Sequence, residues 1–183
     1  MKQQPTFITD RLVLRPLMAK DDLAVRGLAN DPEVASRSVW PLRRLGRKLA
    51  RRWIAGTRES WAAGTAAEFA IQLKSGGEII GLAGFDSLDA DRACAELSFL
   101  VSPRYWGNGY ATEAAAKILW YGFRHLKLNR VSACHLVSNR ASGRVLEKLG
   151  MKREGRLRQF ARKGTRFEDV VLMAVLRDEW SKG

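Results

Sequence analysis

The chain has 183 residues, 46% of them hydrophobic and 28% charged, the balance of a globular protein with enough mass for one sizeable core. Its 32 Lys and Arg against 19 Asp and Glu give a net charge of +13, which suits either an anionic partner (a ribosome, RNA or an acidic protein) or a solvated surface. No apolar run approaches the roughly 20 residues of a membrane helix, the opening Met-Lys-Gln-Gln-Pro has no signal-peptide core, and His125 and His135 are the only histidines, without ligand spacing, so neither membrane nor metal is expected.

Residues 8–17 alternate around Leu12 and Leu14 and predict a first strand, ended by Pro16. Asp21 and Asp22 then cap a helix running to Leu28, and Asn30-Asp31-Pro32 breaks the chain. Over residues 42–63, Leu42, Leu45, Leu49, Trp53 and Trp61 recur at helical spacing, while Arg43, Arg44, Arg47, Lys48, Arg51 and Arg52 form a basic face. Gly46 and Gly56 weaken this segment, so one helix or two short ones both fit. Its basic face holds an anion or faces solvent, and it lacks the interleaved aromatics that stack on RNA.

Residues 66–73 predict a strand, Ser75-Gly76-Gly77-Glu78 a turn and residues 79–88 a hairpin partner. After a polar turn, residues 95–101 complete an antiparallel meander. A helix is expected over 110–125, a strand over 131–137, and a helix over 139–149 closed by Gly150. Residues 151–159 and 168–176 are the last strands, joined by a basic connection. Cys94 and Cys134 fall inside strands with no Cys-x-x-Cys spacing, which reads as buried free thiols in a reducing cytoplasm. The pattern is one α/β domain over residues 1–183 with a mixed, mostly antiparallel sheet.

The most informative stretch is Leu100-Val-Ser-Pro-Arg-Tyr-Trp-Gly-Asn-Gly-Tyr-Ala-Thr-Glu. Pro103 ends a strand, Gly107 and Gly109 let the backbone turn close to a ligand, and an alanine-rich helix follows whose first N–H groups attract phosphate oxygens. A Walker loop would need Lys and Ser or Thr after Gly109, where Tyr110-Ala111 stand. A Rossmann fingerprint would need a third glycine at Thr112. What remains, Arg104-Tyr-Trp-Gly107-Asn-Gly109-Tyr-Ala, resembles the coenzyme A pyrophosphate loop of the GNAT N-acetyltransferases. Its wider spelling is similar to the RimJ/RimL-like group, as are the opening Thr9-Asp-Arg11-Leu and the segment Asn139-Arg-Ala-Ser142-Gly-Arg-Val-Leu-Glu-Lys-Leu-Gly150.

The resemblance implies a sheet of six to seven strands flanked by about four helices, acetyl-CoA as co-substrate and no metal. By it, Phe99, Leu100 and Val101 pair with the pantetheine arm. Arg104, Tyr105, Trp106, Gly107, Asn108, Gly109, Tyr110, Ala111 and Thr112 hold the pyrophosphate, and Asn139 and Ser142 belong to the helix that flanks the pantetheine arm. Many relatives place a proton-donating Tyr where Leu146 stands here, so Ser142 is the candidate donor to the leaving thiolate.

Glu96, a carboxylate among Ala95, Leu97 and Phe99, is the candidate base, since partial burial would raise its pKa. It could equally hold an amine without taking its proton. Glu113 reads as a first-turn residue complementing the helix dipole. Trp40, Arg158 and Arg162 are candidate acceptor contacts. With Arg156, Lys163 and Arg166, the basic connection disfavours polyamines by repulsion and suits a peptide N-terminus near acidic residues. The expected acceptor is a protein or peptide N-terminus, the alternatives being a small amine such as an amino acid or drug or a catalytically weak acyl-CoA- or RNA-binding module, with the chain a monomer or homodimer.

Overall fold

The computed structural model describes residues 3–39 and 44–180. Eight strands form a single sheet: β1 (Phe7–Ile8), β2 (Leu12–Arg15), β3 (Ala67–Leu73), β4 (Ile79–Asp89), β5 (Cys94–Val101), β6 (Arg130–Leu136), β7 (Lys152–Lys163) and β8 (Arg166–Leu176). Their order is β1-β2-β3-β4-β5-β6-β8-β7. Five α-helices are found among the described residues: α1 (Asp22–Asn30), α2 (Pro32–Arg37), α3 (Arg47–Ala63), α4 (Tyr110–Arg124) and α5 (Arg140–Lys148). None is long and apolar enough to cross a membrane.

The expected six to seven strands become eight because the first splits. Thr9 Oγ1 accepts the Leu12 N–H at 3.0 Å and the Thr9 N–H reaches the Leu12 carbonyl, so the chain turns between β1 and β2. The extra helix, α2, begins where a break was expected. Asp31 accepts the Glu33 and Val34 N–H groups, and Pro32 sits in the first turn, where its missing donor costs nothing. The segment over 42–63 is one helix rather than two, starting after Gly46 and stopping at Gly64, whose φ is +71°. Its buried stripe is Ala50, Ile54 and Thr57, not the predicted Leu49 and Trp53, which are 56% and 39% exposed. Leu42 and Arg43 lie outside the described residues.

All neighbouring strands are antiparallel except β5 and β6, which run parallel and therefore need a crossover, supplied by α4. Ala114, Ala115, Ile118 and Leu119 of α4 and Leu146 of α5 pack on Phe69, Phe85 and Leu97 to form the main core. Leu17, Val25, Leu28 and Ile54 cover the other face over Ala70 and Leu82. On that second face the row Glu68, Gly84 and Ser98 is the next one along.

Gly84 has no room for a side chain: a Cβ there would stand 2.1 Å from the Ala67 carbonyl oxygen. Gly84→Ala should therefore destabilise the protein by about 1–3 kcal/mol, read as a lower denaturant midpoint at unchanged m-value.

The last two strands are longer than predicted. Arg158, Arg162, Lys163 and Arg166 lie within a paired hairpin rather than in a connection. A bulge between Leu157 and Ala161, with Gln159 at φ +54°, disturbs the alternation and hides the strand. Cys94 and Cys134 are free but only half-buried.

Candidate active site

The parallel pairing of β5 and β6 is brief. It joins Cys94–Arg130, Ala95–Val131 and Glu96–Ser132 and then ends, β5 continuing against β4 and β6 against β8. Beyond Glu96 the two strands part, and the gap belongs to a cleft of about 570 Å³. Phe99, Leu100 and Val101 line it from β5.

The glycine loop closes one end of this gap. Gly107 and Gly109 both have φ +80°, and Gly109 is the N-cap of α4 with no side chain capping that helix. The first-turn N–H groups of α4 therefore lack an intrahelical or side-chain acceptor, the arrangement that receives an anion. Trp106 Nε1 donates to the Val101 carbonyl at 2.7 Å and fixes the loop on the strand end. The Arg37 guanidinium lies 4.3 Å from the centre of the Trp106 ring. Tyr105, Gly107, Tyr110, Ala111 and Thr112 line the cleft, whereas Arg104 and Asn108 do not. Asn108 braces the loop instead, its Nδ2 donating to the carbonyls of Tyr105 and Trp106.

The start of α5 faces the gap from the other side. Asn139 Oδ1 accepts the Ser142 N–H at 3.2 Å, and its Nδ2 donates to Ser142 Oγ at 2.9 Å and to the Arg37 carbonyl at 3.0 Å. Asn139, offered by the sequence to the coenzyme, thus spends its amide on capping and on orienting Ser142. With Asn139 donating to its oxygen, the half-buried Ser142 keeps its own hydroxyl proton for the cleft.

The floor is acidic. Glu96, at the last position where β5 pairs with β6, is half-buried in the cleft, and burial followed by the charge of Asp86 raises its carboxyl above the ordinary range. Glu68 of β3 is raised well above that range, first by burial and then by Asp86. Burial, with Glu96 nearby, pushes the Cys134 thiol up to about 11, so it is not a thiolate at neutral pH. The basic residues expected to repel a polyamine are not among the acidic floor residues, although Arg37, Arg144 and Lys148 line the same cleft. Arg158 and Arg162 do not line the cleft, and Arg162 Nε is turned to the Gly164 carbonyl at the hairpin tip. Trp40 lies outside the described residues. No group of three or more potential metal ligands is found among the described residues.

One support of the loop was not foreseen. Glu113 accepts from Thr9 Oγ1 at 2.6 Å and from the backbone and Nε of Arg11, while Arg11 Nη1 donates to the Asn108 carbonyl at 2.9 Å. The Thr-x-Arg opening and the first turn of α4 are therefore one buttress behind the glycine loop. Although partial burial opposes it, these donors hold the Glu113 carboxyl below its usual range. Arg11→Ala should raise the KM for acetyl-CoA several-fold while kcat changes little, since it loosens loop placement and touches no reacting atom; initial-rate kinetics check this.

The family model of the acetyltransferase (GNAT) domain matches residues 11–152. The uncharacterized N-acetyltransferase p20 of Bacillus licheniformis is 32% identical over 177 residues, covering 96% of this chain and 98% of that protein. The ribosomal protein uS5-alanine N-acetyltransferase of Escherichia coli is 29% identical over 108 residues, 58% of this chain and 55% of that protein. The solved structure of a GNAT-family acetyltransferase from Bacillus anthracis superposes with a TM-score of 0.82 at 27% identity, covering 96% of this chain and 100% of that one. The glycine loop and the Asn139–Gly150 segment fall within the matched residues, and a relative is matched along nearly its whole length: the chain belongs to the GNAT acetyltransferase family and is an N-acetyltransferase.

Proposed function

We propose that the chain acetylates the N-terminal α-amino group of a protein or peptide, with Glu96 taking the amine's proton and Ser142 protonating the departing thiolate. The observation that carries this reading is the convergence of two polar groups on one strand gap: Glu96 where the pairing ends and Ser142 at the facing helix start. Acetyl-CoA brings the acyl group as a thioester. The open first turn of α4 suits its pyrophosphate, and the free edge of residues 99–101 suits its pantetheine amides. An amine in water is mostly protonated and must lose a proton before it can attack. A carboxylate raised by burial is a better base for that step than an ordinary one. The thiolate set free needs a proton in turn, and the oriented Ser142 hydroxyl is placed to give one.

Support for a peptide acceptor comes from the cleft mouth and the relatives. Arg37 and Ser38 line the cleft at the end of α2, and Lys163 of the β7–β8 hairpin donates to the Ala35 and Ser38 carbonyls, so a basic hairpin flanks the entrance. The E. coli relative is named for the alanine of a ribosomal protein. A small-molecule amine is the second reading, favoured by the acidic floor. Release of coenzyme A thiol, measured against N-terminal peptides and a panel of small amines, separates the two. Turnover confined to small amines would overturn the peptide reading.

A further inference from the structure

The cleft floor contains more acid than acetyl transfer requires. Glu68 on β3 and Ser98 on β5 stand opposite Gly84 of β4 in one cross-strand row, and Asp86 rises from the β4 bulge beside them. Glu68, Asp86, Glu96 and Ser98 all line the same cleft. Ser98 Oγ is 2.6 Å from Asp86 Oδ1 and 3.5 Å from Glu68 Oε1. A serine has one hydroxyl proton, so Ser98 serves Asp86 and leaves Glu68 with little.

Glu68 Oε2 is sealed from solvent and has no hydrogen-bond partner among the described residues. Nor does any Lys or Arg pair with Glu68, Asp86 or Glu96 there, although the chain carries 32 such cations. A buried carboxylate oxygen without a donor is costly to maintain. Burial and the charge of the neighbouring Asp86, with which Glu68 shares a hydrogen bond, favour a protonated Glu68; a bound cation would take that proton's place and leave both carboxylates ionised against it.

We propose that Glu68 and Asp86 bind a cationic nitrogen of the acceptor other than the one acetylated, so that the enzyme selects acceptors carrying two positive charges. This rests on the reading that the cleft acetylates an amine. Glu68 and Asp86 meet at Ser98 Oγ, and Ser98 stands two residues, roughly 7 Å, along β5 from Glu96, which takes the reacting amine. The two nitrogens must therefore be joined by a short flexible chain. A free diamine has that form, and so does a peptide whose first residue is lysine.

The test compares putrescine with butylamine, and a peptide beginning with lysine with the same peptide beginning with norleucine, for wild type and for Glu68→Gln and Asp86→Asn. Glutamine and asparagine keep the shapes and remove the charges. In wild type, kcat/KM should favour the dicationic member of at least one pair by roughly tenfold or more, and in both variants that ratio should fall towards one. Preference within the amine pair assigns the second nitrogen to a small molecule, and preference within the peptide pair assigns it to a side chain. Good turnover with no preference, or a preference that survives both substitutions, overturns the proposal and leaves acetyl transfer standing. If none of the four is acetylated, calorimetric titration of putrescine and of the lysine peptide into protein saturated with coenzyme A decides. Binding of either that is lost in Glu68→Gln supports the carboxylate site even though the acetyl-transfer reading fails, and binding that is absent or unaltered overturns it.

Discussion

Replacing Glu96 with glutamine should lower kcat at neutral pH by about a hundred- to ten-thousand-fold, the usual worth of a positioned base, with little change in the KM for acetyl-CoA. The substitution keeps the side chain's shape at the end of the β5–β6 pairing and removes only its ability to take a proton. The pH profile carries the sharper signature. Burial and the charge of Asp86 raise the Glu96 carboxyl, so activity should climb with pH through a pKa above the ordinary carboxylate range, and Glu96→Gln should remove that limb.

Stability should move the other way. A carboxyl whose folded pKa lies above its unfolded value stabilises the fold fully below the unfolded value, and that contribution is lost as pH rises through the raised one. Glu96 and Glu68 both have this sign. The two glutamine variants should therefore resist denaturant at neutral pH at least as well as wild type. A Glu96→Gln enzyme that is folded and fully active would mean that the amine loses its proton elsewhere.

The second large effect is expected at Ser142. Ser142→Ala should reduce kcat about a hundredfold or more with the KM for acetyl-CoA within about twofold, because the lost group is the proposed proton donor to the leaving sulfur. Replacing the coenzyme thioester by one with a more acidic thiol should restore much of the rate, since a better leaving group needs less help. Asn139→Ala should show part of the same kinetic loss through misplacement of the serine, together with about 0.5–2 kcal/mol of lost helix-cap stability. Equal rates for Ser142→Ala and wild type, with either thioester, would remove the serine from the chemistry.

What could be read from the chain follows from how far apart the interacting residues stand. The loop was legible because its chemistry is local: Gly107 and Gly109 both need positive φ, and the helix they open follows at once. Ser142 and its cap Asn139 are three residues apart, and Glu96 lies in a strand whose alternation is plain. The acidic floor was hidden because Glu68, Asp86 and Glu96 come from three strands, and a bulge in β4 decides where Asp86 falls. The buttress joins Arg11 to Glu113 across 102 residues, which no local pattern reveals. Helix α2 was lost to the ordinary reading of proline as a breaker, whereas a preceding Asp turns Pro32 into a helix start. On α3, large apolar residues suggested the buried face, but small Ala50 and Thr57 flank Ile54 there and leave Trp53 for the cleft.

The most direct test of this active site is a crystal structure with coenzyme A bound. The pyrophosphate should lie on the backbone N–H groups of residues 107–112, the pantetheine arm should run between β5 and β6 along residues 99–101, and the thiol should stand within hydrogen-bond reach of Ser142 Oγ, on the side of the cleft facing Glu96. A coenzyme seated elsewhere, or a thiol directed away from both Ser142 and Glu96, would contradict it.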